Sequence, residues 1–184
     1  MSDNKIILIG GGGHCKSCIE VIESKGDFVI AGIIDVKEKI GTSLLGYPVI
    51  GCDDDLVELR KKYSNAHITV GQIKSNTARK NIFKKLKELK YTLPVISASS
   101  SIISKHSKIG EGTIIMHQAI VNAETEIGVN CIINSKSLIE HDCRVGDDCH
   151  VSTGAILNGN VTIGSDCFIG SNTTFVNGLT LTNS

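Results

Sequence analysis

Tryptophan is absent, and four phenylalanines and three tyrosines complete the aromatic side chains of the 184-residue chain. So few rings leave little to stack on single-stranded bases. An excess of charge is lacking too: 19 Lys plus Arg balance 19 Asp plus Glu. That balance advertises no basic face for nucleic acid or anionic lipid. No apolar run is long enough to span a bilayer, and the N-terminus lacks the charged start and small-residue cleavage site of a signal peptide. A cytoplasmic location is expected by default, and seven cysteines, an odd number, fit a reducing compartment.

What is present is a repeat. From Ile103 to Leu181 every sixth residue is apolar, running Ile103, Ile109, Ile115, Val121 and onward to Ile169, Phe175 and Leu181. Two residues before each stands a smaller side chain, among them Ala119, Cys131, Cys143, Cys149, Ala155 and Cys167. A strict period of six is the signature of a hexapeptide β-helix, in which three hexads close one triangular coil. The four cysteines in the small position are thereby assigned to the core as compact hydrophobes. An eighteen-residue coil also predicts vertical neighbours: Ala123 below His141, Gly159 above it, and Asn177 one coil further. Small residues around one outward histidine leave room for a ligand. His150, two hexads further along, belongs to another face, so the two histidines share a site only between prisms packed around a threefold axis.

The first ninety-odd residues alternate differently. Lys5 to Ile9 is a run suited to a buried parallel strand, followed by Gly10 to Gly13, His14 and a helical pattern. Strand, glycine turn and helix present backbone N–H groups and a positive helix end to phosphate. The second strand, 28–34, ends at Asp35, an acid placed to read a ribose or base edge. A short strand is expected within 46–51, a capped helix over 56–63, a strand over 67–70, a helix from Ser75 or Asn76 to about Lys90, and a last strand over 91–96. The expected domains are 1–96, a Rossmann-like α/β nucleotide-binding domain, and 97–184, a β-helix cut short at its C-terminus near Ser184.

The N-terminal Ile-Gly-Gly-Gly-Gly-His turn, Ile33-Ile34-Asp35, Gly46-Tyr-Pro-Val-Ile-Gly51, and hexads holding Leu138-Ile-Glu-His-Asp-Cys143 and His150-Val-Ser-Thr-Gly-Ala155 resemble the NeuD/PglD family of bacterial sugar acyltransferases. The likeness runs through nearly the whole chain. It implies a left-handed parallel β-helix, a homotrimer, acetyl-CoA as donor and a sugar amine or hydroxyl as acceptor. It further implies His141 as catalytic base with Asp142 beside it, and His150 and Gly159 against acetyl-CoA. Gly11, Gly12, Gly13, His14 and Asp35 would hold the nucleotide.

The chemistry is coherent. An imidazole titrating near neutrality takes the proton as a sugar amine attacks a thioester, and a neighbouring carboxylate fixes its tautomer. Glu140 and Asp142 both flank His141, and adjacent strand residues face opposite ways, so the sequence leaves their assignment open. A loop near Ser152 to Gly154 is a candidate oxyanion donor. Thiolate leaves readily, so no metal is expected. The reading is an acetyl-CoA-dependent N-acetyltransferase acting on a nucleotide-linked 4-amino-sugar. Sugar O-acetylation and a non-catalytic stabilising partner in a sialic-acid pathway stand as alternatives, and an NAD-dependent enzyme is disfavoured by the hexad repeat and by Cys15.

Overall fold

The computed structural model describes residues 4–73 and 75–182; the chain end at Ser184 lies outside them. The chain divides into two compact units, Met1–Gly71 with Thr77–Pro94, and Gln72–Asn76 with Val95–Ser184. The second unit thus includes a short segment contributed from within the first ninety residues, which a single boundary near Ser97 does not anticipate.

In the first unit, β1 (Lys5–Ile9) and β2 (Val29–Ile34) flank α1 (Gly13–Lys25), and β3 (Ser43–Leu44), β4 (Tyr47–Gly51), α2 (Leu56–Leu59), β5 (Asn65–Ile68) and α3 (Thr77–Glu88) follow. The sheet order is β3-β4-β2-β1-β5. Its pairs are parallel except β3 with β4, which is antiparallel. Ile6 to Ile9 are buried, as an apolar run covered on both faces requires. Gly26 ends α1 in the left-handed conformation with its N–H donated to the Ile22 carbonyl, a glycine C-cap.

The strand expected over 91–96 does not form. Thr92 makes an isolated bridge to Asn65, while Tyr91 and Leu93 pack into the α/β core without a ladder. Pro94, which has no N–H to donate, follows directly. Ile96–Ser97 belongs instead to the second unit as its first rung, pairing with Ile114–Ile115. The helix expected over 56–63 stops at Leu59, preceded by a 3-10 turn over Asp53–Asp55.

The second unit is a parallel β-helix of two-residue rungs, arranged as three five-stranded sheets. The first face carries rungs beginning at 96, 114, 132, 150 and 168, the second at 102, 120, 138, 156 and 174, the third at 108, 126, 144, 162 and 180. Successive rungs of a face pair eighteen residues apart, as Leu138 with Ile156 and Arg144 with Thr162. Ile115, Val121, Ile133, Ile139, Val151 and Leu157 are wholly buried in one stack. Each such aliphatic side chain stabilises by roughly 1.5–3 kcal/mol, and three interlocked columns replace the aromatic core that the composition lacks.

The cysteines of the small position are buried and free, and they do more than fill space. Cys131, Cys143 and Cys149 each place Sγ 3.0–3.2 Å from the carbonyl oxygen fifteen residues on, at Gly146, Asn158 and Gly164. Thr113 and Thr125 donate their hydroxyls to the equivalent carbonyls of Gly128 and Glu140. The position therefore selects small side chains that can also donate to a turn carbonyl.

From Gly112 onward each coil corner turns through a left-handed residue. From Gly112 to Gly178, φ is positive at every sixth position, including Asn130, Asp142, Asp148, Asn160, Asp166 and Asn172. Gly, Asn and Asp are the residues that enter this region at least cost, which accounts for their spacing in the sequence.

Candidate active site

His141 sits in the corner between the second and third faces, one residue beyond Glu140, which follows the rung Leu138–Ile139. The predicted stack around it is present. The Asp142 N–H donates to the Ala123 carbonyl at 3.1 Å, the Asn160 N–H to the His141 carbonyl at 2.9 Å, and the Gly178 N–H to the Gly159 carbonyl at 3.0 Å. A side chain on Gly159 would place Cβ 2.7 Å from His141 Cε1 and 2.8 Å from Nε2, and 3.2 Å from Asn177 Nδ2. The bare glycine is thus what leaves the imidazole its space.

Asp142 Oδ2 lies 2.7 Å from His141 Nδ1. Two adjacent residues on a straight strand point to opposite faces, but Asp142 has φ of +61°, and this left-handed turn brings its carboxylate round to its neighbour's ring. Glu140 is engaged elsewhere, accepting from Asn122 Nδ2 at 2.8 Å one coil away. Asp142 is therefore the carboxylate that orients the imidazole. With Nδ1 carrying the proton toward Asp142, Nε2 keeps its lone pair on the open side next to Gly159. The hydrogen bond to Asp142 raises the pKa of His141. Slight desolvation opposes this, and the charges of Asp142 and Glu140 reinforce it. Both side chains are more than half exposed, so the pair is accessible to ligand.

His150 is placed quite differently. It opens a rung of the first face and is 6% exposed. Its Nδ1 donates to the Gln72 carbonyl, its Nε2 lies 3.1 Å from Asn134 Nδ2, and its ring meets Phe168 edge-on at 5.1 Å between centroids. Because a carbonyl can only accept, the proton is on Nδ1 and Nε2 accepts from Asn134. Gln72 is tied down in turn by donating Nε2–H to the Asp148 carbonyl at 2.8 Å. Direct contact of this ring with a ligand requires Asn134 or Gln72 to yield. Neither partner was legible in the sequence, since Gln72 is 78 residues away. The N–H groups of Ser152 and Gly154, candidate oxyanion donors, are spent on the carbonyls of Ile169 and Ser135 in the coil stack.

In the α/β unit, the glycine turn and Asp35 come together at the C-terminal ends of β1 and β2, where open α/β sheets hold ligands. The Gly11 N–H donates to Asp35 Oδ2 at 3.2 Å. A Cβ on Gly11 would lie 2.5 Å from that oxygen, whereas Gly12 and Gly13 face open space. Asp35 Oδ1 accepts from the Val36 N–H, and the Lys39 ammonium donates to Oδ2 at 2.7 Å. Burial pushes the Asp35 carboxyl up, but the hydrogen bonds from Lys39, Val36 and Gly11 outweigh it and the net direction is down. A cleft of about 480 Å³ opens beside them, lined in part by Gly10, Asp35, Lys37, Glu38, Asp53 and Ile82. The α1 N-terminus has no side-chain cap and no acid in its first turn, which leaves its positive end toward whatever binds.

His14 lies at 3.5–3.7 Å from where Gly71 would carry a side chain. His67 beneath is fully buried, and desolvation first, then Arg79 and His14, drive its pKa well down, so it is neutral. Cys15 and Cys18 stand one helical turn apart on α1, and burial raises both thiols, Cys18 to about 12. Neither is a thiolate at neutral pH, and neither serves as a nucleophile.

With this geometry in view, residues 5–86 match the PglD N-terminal domain and residues 142–177 the bacterial transferase hexapeptide repeats. The chain is 30% identical over 111 residues to the UDP-N-acetylbacillosamine N-acetyltransferase of Bacillus subtilis, a match covering 60% of this chain and only half the length of that relative. Perosamine N-acetyltransferase of Caulobacter crescentus was solved with CoA and GDP-perosamine as a variant with one histidine replaced by asparagine. It superposes with a TM-score of 0.80 at 27% identity, over 96% of this chain and 90% of that one. The acetyltransferase domain of PglB from Neisseria gonorrhoeae, solved with acetyl coenzyme A, gives 0.78 at 25% identity over 99% and 97%. Among the described residues, no helix is long and apolar enough to cross a membrane.

Proposed function

Because the chain joins a PglD N-terminal domain to hexapeptide transferase repeats and so belongs to the NeuD/PglD-like sugar acetyltransferases, we propose that it moves an acetyl group from acetyl-CoA to the amine of a nucleotide-linked 4-amino-sugar. The observation that carries this reading is the His141–Asp142 pair, 2.7 Å apart on an exposed corner beside the bare Gly159. The nature of the relatives supports it: the perosamine and bacillosamine enzymes are N-acetyltransferases of nucleotide-linked sugars.

The residues present suit an acetyl-CoA thioester. Gly159 is a cradle that a single Cβ would fill, and the thioester supplies an activated acyl group with a thiolate that leaves readily. His141 Nε2 accepts the proton released as the sugar nitrogen bonds to the acyl carbon, an effect worth about 10²–10⁴-fold. Asp142 holds the ring in the tautomer that exposes this lone pair and stabilises the imidazolium once formed. Gly11 to His14 and Asp35 anchor the nucleotide moiety. His150, fixed at both ring nitrogens, positions Asn134 near the coenzyme.

The active form is a homotrimer. The outward residues of the second face make an apolar ladder: Ile102 is 63% exposed, and Ile120, Leu138 and Ile156 are partly exposed above it. The first three outward residues of the third face, Lys108, Glu126 and Arg144, are charged and bridged to one another, and Thr162 and Thr180 continue the column. An apolar face bordering the His141 corner suits closed packing of three prisms, with the site in the groove between chains.

Thermal-shift titration with UDP-, GDP- and dTDP-linked 4-amino-sugars, with and without acetyl-CoA, tests the reading together with thiol release. Stabilisation and turnover by one of these supports it. Turnover only on a hydroxyl acceptor replaces N- by O-acetylation, and no response to any nucleotide sugar sinks it.

A further inference from the structure

Asp35 is engaged before any ligand arrives. Its Oδ2 takes both the Gly11 N–H and the Lys39 ammonium, and its Oδ1 takes the Val36 N–H. The carboxylate therefore occupies an amide of the very turn that would face a phosphate, and two anions at such a site repel. The cleft wall adds to the problem, since Glu38, Asp53 and Asp54 line it as well. The cation already on the shared oxygen is Lys39, whose side chain is half exposed while that of Asp35 is nearly buried. It ends the 3-10 turn Lys37–Lys39, on a flexible four-carbon stem. Through Oδ2 the ammonium and the Gly11 N–H are joined by contacts of 2.7 and 3.2 Å, which puts the charge beside the turn that continues into Gly12 and Gly13, where an added side chain would meet nothing within 4 Å.

On the reading that a nucleotide-linked sugar occupies this turn, we infer that Lys39 is a further binding residue, which passes from Asp35 to the diphosphate when the substrate enters. The exchange selects a diphosphate linkage: the ion pair is given up only for a group carrying at least as much negative charge within reach of the turn. Asp35 keeps the Gly11 and Val36 amides and so holds the glycine turn in shape throughout. Lys61, which is paired with Glu58 and lies outside the cleft lining, serves as the control.

Calorimetric titration of UDP, GDP, UMP and GMP into wild type and the Lys39→Met, Lys39→Arg and Lys61→Met variants tests this, with circular dichroism melting to verify each fold. Lys39→Met is expected to weaken the diphosphate that wild type prefers about 10- to 100-fold, the worth of one hydrogen bond to a charged group, and to leave the matching monophosphate within about threefold. Lys39→Arg should retain most of the affinity, and Lys61→Met all of it. If wild type binds a diphosphate and folded Lys39→Met binds it equally well, the role of Lys39 is overturned while the nucleotide reading stands. That role is equally overturned if monophosphate and diphosphate lose affinity alike, or if Lys39→Arg fails as badly as Lys39→Met. If wild type binds no nucleotide, both fall together.

Discussion

His141 and His150 lie nine residues apart in one repeat, yet their surroundings make them opposite kinds of group. His141 occupies a corner, more than half exposed, with a carboxylate on Nδ1. His150 occupies a rung, nearly buried, with a carbonyl on Nδ1 and an amide on Nε2. A carboxylate partner stabilises the charged ring and keeps it titrating in water; a carbonyl and an amide, away from water, hold the neutral ring in one tautomer. The same side chain is an accessible, titrating group in the first place and a fixed strut in the second. The contrast comes from hexad position.

The sharpest test is His141→Ala, which should lower turnover about 10²–10⁴-fold while stability stays within about 0.5 kcal/mol, as for an exposed substitution. Thiol release and urea denaturation measure the two, and undiminished turnover would remove the base. For His150→Ala the signature inverts: stability should fall by about 1–3 kcal/mol, because the buried Gln72 carbonyl and Asn134 amide lose their partner. An unchanged denaturation midpoint would erase the distinction between the two histidines.

Asp142→Asn sharpens the comparison through pH. The carboxylate raises the His141 pKa, so in wild type the rate falls as pH drops through a value above the ordinary 6.5. With asparagine that limb should move to lower pH, and the plateau should sit between wild type and His141→Ala. A pH profile that keeps its limb would show that Asp142 does not act on the ring. The smallest effect is expected for Gly159→Ala, whose Cβ would crowd the exposed ring. Turnover should drop about tenfold, short of the roughly 10²-fold that a 1 Å misplacement can cost, with no loss of stability in the same denaturation assay.

The β-helix was far more legible than the α/β unit. Its hexad register places Cys131, Cys143, Cys149 and Cys167 in the core and stacks Gly159 over His141, as observed. A coil repeats one local rule with no competing partners, so the period alone carries it. In the α/β unit each element answers to different neighbours. The apolar run ending in Val95 and Ile96 reads as a strand, but Ile96 is claimed by the first rung. The Lys39–Asp35 pair is invisible because four-residue spacing outside a helix predicts nothing. The choice between Glu140 and Asp142 had a usable signal: Asn, Asp or Gly recurs at the left-handed position, and Asp142 occupies it.

The two architectures, the inward columns and the isolation of His141 among small residues follow from periodicity and residue size, which are local properties read along the chain. That Asp142 rather than Glu140 holds His141, that Gln72 and Asn134 lock His150, and that Asp35 is paired with Lys39 emerge only once the chain is folded. Each of those outcomes turns on where a polar side chain finds its partner. Hydrogen bonds are short and directional, so they depend on backbone turns and on contacts as distant as 78 residues, which no pattern of neighbouring letters encodes.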